Sequence, residues 1–159
     1  VESEVGKGTS FKIYFPQAEE LPQNIAAAAK SAELPRGNET ILISEDEEIV
    51  RGLALQALTR QGYQVIESAN GLEAIRMAHE HKGTKIKMLI TDMVMPHMGG
   101  NELAEKLSAE YPDLKMIFTS GYTDQNAVQK WIDKGCHFLQ KPYTLSELAH
   151  TVREVFDAK

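Results

Sequence analysis

From residue 39 onward the chain repeats one pattern five times: a short apolar run, then a longer segment with apolar residues at helical spacing. The apolar runs are residues 40–44, 63–68, 87–92, 115–120 and 137–140, and each reads as a buried strand. After the first, residues 48–61 carry Ile49, Val50, Leu53, Ala54, Ala57 and Leu58 at helical spacing, and Gly62 ends the helix. Residues 71–81 turn Leu72, Ile75 and Ala78 inward. Residues 101–111 open on Asn101 as the expected cap and stop at Pro112. Residues 124–134 gather Ala127, Val128, Trp131 and Ile132 on one side, and Leu145, Leu148, Val152, Val155 and Phe156 mark a closing helix. Strict alternation of this kind requires a parallel sheet covered by helices on both faces. Five such units in about 120 residues predict an α/β, doubly wound, five-stranded parallel sheet of flavodoxin-like order 2-1-3-4-5.

The first 38 residues follow a different rule. Residues 5–16 open with a glycine turn, then alternate Phe11, Ile13 and Phe15 against Ser10, Lys12 and Tyr14, the period of a half-buried strand. No partner lies nearby in the sequence, so its sheet is expected upstream. Residues 17–38 hold Pro22, Pro35 and an alanine run at 26–29, and read as a linker. Because the sequence begins at Val1 inside a strand-like pattern, it reads as a piece of a longer protein. Net charge is −6, with 23 acidic against 17 basic residues, which argues against nucleic acid and offers no basic stripe to a membrane surface. No apolar run approaches the roughly 20 residues of a spanning helix. The single cysteine, Cys136, excludes an internal disulfide and reads as a small buried thiol; a cytoplasmic location is expected.

Ligands of open α/β sheets bind beyond the C-terminal ends of the strands. After the first strand come Glu45 and Asp46, with Glu47 and Glu48 behind them; the third strand ends at Asp92, the fourth at Ser120 and the fifth at Lys141. In the predicted order these ends are neighbours, so three carboxylates, a hydroxyl and an ammonium converge. Clustered carboxylates repel unless a cation neutralises them, and all-oxygen ligation favours a hard ion such as Mg²⁺. The remaining parts suit phosphoryl transfer: Asp92 as nucleophile, with Lys141 and Ser120 available to the transferred oxygens.

The stretches ILISEDEE (41–48), LITDMVMPHMGG (89–100), IFTSGY (117–122) and FLQKPY (138–143) resemble the four motifs of a two-component response-regulator receiver domain, over residues 38–158. The resemblance implies Asp92 as phosphoacceptor, and Glu45 with Asp46 as the acidic pair for Mg²⁺, Asp46 favoured as the direct ligand. It implies the Val94 backbone carbonyl as a further metal ligand, Ser120 as switch hydroxyl, Phe138 as switch aromatic, Lys141 as phosphate-binding lysine, and a cis Lys141–Pro142 bond. The switching surface it implies spans residues 124–157. The Glu-Asp pair, Ser120 and Gly99 are mild departures from the commonest pattern. Val94 and Tyr122 flank the site and are expected to limit water access, giving a long-lived aspartyl phosphate. SEVGKGTSFKIYFP (3–16) is similar to the last strand of a histidine-kinase ATP-binding domain. The layout expected is then a kinase remnant over 1–16, a linker over 17–38 and a receiver over 39–159, as in a hybrid sensor histidine kinase. Such a piece is not a complete kinase. Its expected partners are the histidine kinase core in cis or a histidine phosphotransfer protein.

Two other classes also place a carboxylate at a strand end. A haloacid-dehalogenase-type phosphatase needs a second Asp two residues after the nucleophile, and Val94 stands there. An unphosphorylated receiver-like interaction module commonly loses the acceptor, the acidic pair or the lysine, and all are present. The five histidines show no paired metal spacing, and His150 reads as a plain helix residue.

Overall fold

The computed structural model describes residues 1–14, 34–121, 129 and 131–158. The chain divides into two units, Val1–Ala32 and Glu33–Lys159. In the first, β1 (Glu2–Glu4) pairs antiparallel with β2 (Gly8–Ser10), Glu2 opposite Ser10. Gly6 supplies the left-handed φ of 81° that closes the turn. The strand expected over 11–15 does not form: residues 11–14 carry no strand, and Phe11 and Ile13 are 71% and 73% exposed. Phe15 lies outside the described residues. Alternating apolar side chains stabilise a strand only when a second layer covers them, and none covers this hairpin among the described residues. The pairing that does form uses residues 8–10 with a partner close by in sequence.

The second unit is built from β3 (Thr40–Ser44), α1 (Glu48–Arg60), β4 (Gln64–Ser68), α2 (Gly71–Glu80), β5 (Ile86–Asp92), α3 (Gly100–Glu110), β6 (Lys115–Ser120), β7 (His137–Gln140) and α4 (Leu145–Asp157). The five strands are parallel in the order β4-β3-β5-β6-β7, which is the predicted 2-1-3-4-5. Side chains alternate across the sheet. Ile41, Ile43, Met88, Ile90 and Ile117 therefore meet Leu58 of α1 and Leu148 and Val152 of α4 on one face. Leu42, Leu89 and Phe118 meet Ala74 of α2 and Leu103 and Leu107 of α3 on the other. The chain thus leaves β3 for one face and β5 for the opposite face, although the two strands are neighbours. That divergence opens a crevice between the ends of β3 and β5, where Glu45 and Asp92 stand.

Several packing expectations are corrected. Ile49, Leu53, Leu72 and Leu145 are exposed, because each apolar set is wider than the stripe its helix presses on the sheet, and Ile132 is exposed as well. Tyr63 precedes β4 and is buried against Phe156, ring centroids 6.0 Å apart. Asn101 is not a cap: α3 starts at Gly100 with Gly99 before it. The Asn101 Oδ1 instead accepts a hydrogen bond from Trp131 Nε1 at 2.8 Å. Trp131 is buried and packs against Phe118, centroids 5.1 Å apart. Ala127 and Val128 of the helix expected over 124–134 lie outside the described residues. Cys136 is half-buried rather than buried, and burial pushes its thiol up from the ordinary range. Thr144 and Glu147 form a reciprocal capping box that starts α4 just beyond Lys141.

Two glycines make opposite predictions. A Cβ on Gly100 would run into the Asp92 carbonyl oxygen, whereas one on Gly52, inside α1, meets nothing within 4 Å. Gly52→Ala should stabilise by about 0.5–1 kcal/mol through the unfolded chain and helix propensity. Gly100→Ala should destabilise by about 1–3 kcal/mol, because the start of α3 must move off the end of β5. Urea denaturation of both variants checks the two signs.

Candidate functional site

The site stands where three strand ends and one loop meet. Glu45 follows β3, and its backbone N–H donates to the Ser68 carbonyl of β4 at 3.1 Å, so the residue continues the sheet register before α1 begins. Its residue is only 4% exposed. Asp92 ends β5, directly opposite Thr119 of β6. Lys141 follows β7, and its backbone N–H donates to the Ser120 carbonyl at 2.9 Å, which ties the lysine to the end of β6. The Lys141–Pro142 bond is cis.

The Lys141 Nζ donates to Glu45 Oε2 and to Asp92 Oδ2, each at 2.6 Å. The other Asp92 oxygen, Oδ1, accepts from the Val94 backbone N–H at 3.0 Å. Carboxylate oxygens of Glu45, Asp46 and Asp92 all lie within 4.8 Å of one another. Asp46 is exposed, Glu45 buried and Asp92 between the two. One lysine therefore serves two carboxylates. Burial pulls the Lys141 ammonium down, and hydrogen bonds and charge from Asp92 and Glu45 outweigh it, so its pKa is raised. Burial pushes the Glu45 carboxyl up, and its share of the lysine does not cancel that, so its pKa is raised as well. Such a cluster retains net negative charge, and its donors, all carboxylate oxygens, fit a hard cation.

Ser120 is buried at the end of β6, beside the strand that carries Asp92. Phe138 sits opposite Phe118 on the neighbouring strand and packs half-buried on the core that holds Trp131. The Val94 side chain is 74% exposed, and Tyr122 lies outside the described residues. The structure thus brings Glu45, Asp46, Asp92 and Lys141 into one cluster, with Val94 bonded to Asp92 and Ser120 to Lys141. Phe138 lies in the layer below them.

Comparisons with known proteins identify the family. Residues 41–153 match the response regulator receiver domain. The chain belongs to that family. It is 38% identical to the sensor kinase CckA of Brucella abortus (strain 2308), over 98% of this chain but 17% of that protein. It is 32% identical to the response regulator receiver protein CpdR of the same strain, over 74% of this chain and 97% of that one. Among solved structures, the receiver domain of the hybrid histidine kinase CckA is 36% identical with a TM-score of 0.63, covering 74% of this chain and 99% of that one. The chain is therefore a receiver domain of the two-component phosphorelay type. No helix among the described residues is long and apolar enough to cross a membrane.

An apolar groove of about 450 Å³ lies beside Lys141, lined by Val50, Leu53 and Ala54 of α1 and by Pro142, Tyr143 and Leu145. The sequence did hold a signal. Six apolar residues on α1 are more than one core-facing stripe needs. His150, by contrast, makes an ordinary helix contact, Nδ1 to the Ser146 oxygen at 2.8 Å.

Removing the receiver's lysine tests the electrostatic reading. Lys141→Met leaves two carboxylates without their shared counter-charge and should destabilise by about 1–3 kcal/mol at neutral pH, below the cost for a fully buried pair because Lys141 is partly exposed. The loss should shrink as pH falls through the carboxylate range, since a protonated Glu45 no longer repels Asp92. Urea midpoints for both proteins from pH 7 to pH 4 check this.

Proposed function

We propose that Asp92 is the phosphoacceptor of this receiver and that Glu45, Asp46 and Asp92, with the Val94 backbone carbonyl, hold Mg²⁺. The observation that carries the reading is the Lys141 ammonium shared between Asp92 and Glu45 at 2.6 Å each, with Asp46 in the same cluster. Asp92 attacks the phosphorus of a phosphohistidine; the P–O bond forms as the P–N bond breaks, and the leaving imidazole takes the electron pair and a proton. Mg²⁺, when bound, supplies neutralisation of charge on the transferred oxygens. Lys141 lies within reach of a group built on Asp92 and neutralises the same charge from the protein side. Ser120, buried at the adjacent strand end, is the hydroxyl that turns to the phosphoryl group. Phe138 fills the space that Ser120 leaves, and this biases the surface over 124–157 toward its second conformation.

The groove beside Lys141 suits a partner that brings the histidine in from the α1 side, because its apolar walls meet Lys141, whose ammonium is bonded to Asp92. That partner is a histidine kinase core in cis or a histidine phosphotransfer protein. The parent chain is a hybrid sensor histidine kinase, with residues 1–16 as the end of its ATP-binding domain, 17–38 as linker and 39–159 as receiver. Two facts support this: the Gly-Lys-Gly-Thr turn at 6–9 stands upstream of a receiver, and similarity to a sensor kinase runs over 98% of the chain.

Incubation with acetyl phosphate and Mg²⁺, followed by intact mass measurement, tests the proposal. A gain of one phosphoryl group is expected for the wild type, and none for Asp92→Asn or after EDTA. A gain that survives Asp92→Asn would contradict it.

A further inference from the structure

The acidic pair sits in a loop that should not hold together by itself. Glu45, Asp46, Glu47 and Glu48 are four consecutive carboxylates, and Glu47, at the start of α1, makes no side-chain cap. Repulsion along the run favours an open loop, in which Glu45 and Asp46 no longer share one point in space. The structure holds the loop from beneath with Arg51. Its Nη1 donates to the Glu45 backbone carbonyl at 2.8 Å, and its Nε lies 3.4 Å from Glu67 Oε2 on β4. The arginine side chain is 17% exposed. With the Glu45 N–H already on Ser68, both backbone polar groups of Glu45 are anchored to neighbouring elements. The side chain faces Lys141 through Oε2, while its Oε1 accepts from the Glu47 N–H at 3.4 Å.

We infer that Arg51 is a positioning residue for the cation site: it locks the backbone of Glu45 and Asp46 in the geometry that binds Mg²⁺. The inference rests on the metal reading proposed above. The guanidinium has two opposed effects on a bound dication. As a positive charge beside the site it repels the ion, and as a brace it keeps the ligands assembled. The anchoring wins on this geometry, because the carbonyl bond orients the loop directly, whereas the charge is already shared with Glu67. Lysine cannot reproduce the effect. Its single ammonium reaches the carbonyl or the carboxylate, but lacks the planar fork that spans both.

The opposed signs make the test decisive. Backbone amide shifts of the ¹⁵N-labelled chain are followed during Mg²⁺ titration of the wild type, Arg51→Gln, Arg51→Lys and Glu67→Gln, with thermal melts in parallel. Arg51→Gln should weaken Mg²⁺ binding about tenfold despite removing a positive charge. Arg51→Lys should be intermediate, and Glu67→Gln should shift affinity in the same direction by less. A purely electrostatic or merely structural role predicts the reverse, an Arg51→Gln chain that binds Mg²⁺ as tightly as the wild type or more so, and that result overturns the inference while leaving the metal site standing. If Arg51→Gln fails to fold, Arg51→Lys carries the test: affinity equal to the wild type overturns the inference. A wild type whose amides do not move with Mg²⁺ overturns the metal reading and this inference together.

Discussion

The Lys141 ammonium between Glu45 and Asp92 is the interaction on which the functional edge depends. Each of the three groups belongs to a different strand end, so the bond can form only when β3, β5 and β7 are in register. A carboxylate as buried as Glu45 is unfavourable without a counter-charge, and so is a second carboxylate beside it. One lysine reduces both costs but does not cancel them. The remaining negative charge is what a hard cation would neutralise.

The sheet explains why this cluster is accessible at all. β3 and β5 are adjacent, yet the chain leaves them for opposite faces, α1 on one and α3 on the other. The crevice between them is where ligands of open α/β sheets bind. Gly100 closes its floor by letting α3 start against the Asp92 carbonyl, and Trp131, bonded to Asn101, fills the layer beneath Phe118 and α3. The packed core fixes the strand ends, and the strand ends carry the charges. Phe138 packs on the same core cluster as Phe118 and Trp131.

Much of this was legible in the sequence, for a physical reason. A buried parallel strand must be a short apolar run, and a helix covering it must show the 3.6-residue period, so element type followed from pattern, and the sheet order from the common arrangement of five such units. The strand-end residues Glu45, Asp46, Asp92 and Lys141 followed from the sheet order. What the pattern could not carry was contact. The period of Ile49, Leu53 and Leu72 is right for a helix, but period does not say how wide a stripe the sheet will cover. Phe11 and Ile13 alternate like a strand, and alternation cannot supply the layer that would bury them. Asn101 has the chemistry of a cap, yet Gly99 takes that position because α3 must start close against β5. Arg51 reads as a polar residue on an exposed helix face, and only its reach to the Glu45 carbonyl gives it meaning.

The account stands most directly on the atom that receives the phosphoryl group. After phosphorylation the chain is reduced with borohydride, which converts an aspartyl phosphate to homoserine, and its peptides are sequenced by mass spectrometry. Homoserine at position 92 alone is the predicted result. A phosphoryl group found on His150 or another side chain, with Asp92 unchanged, would contradict the account.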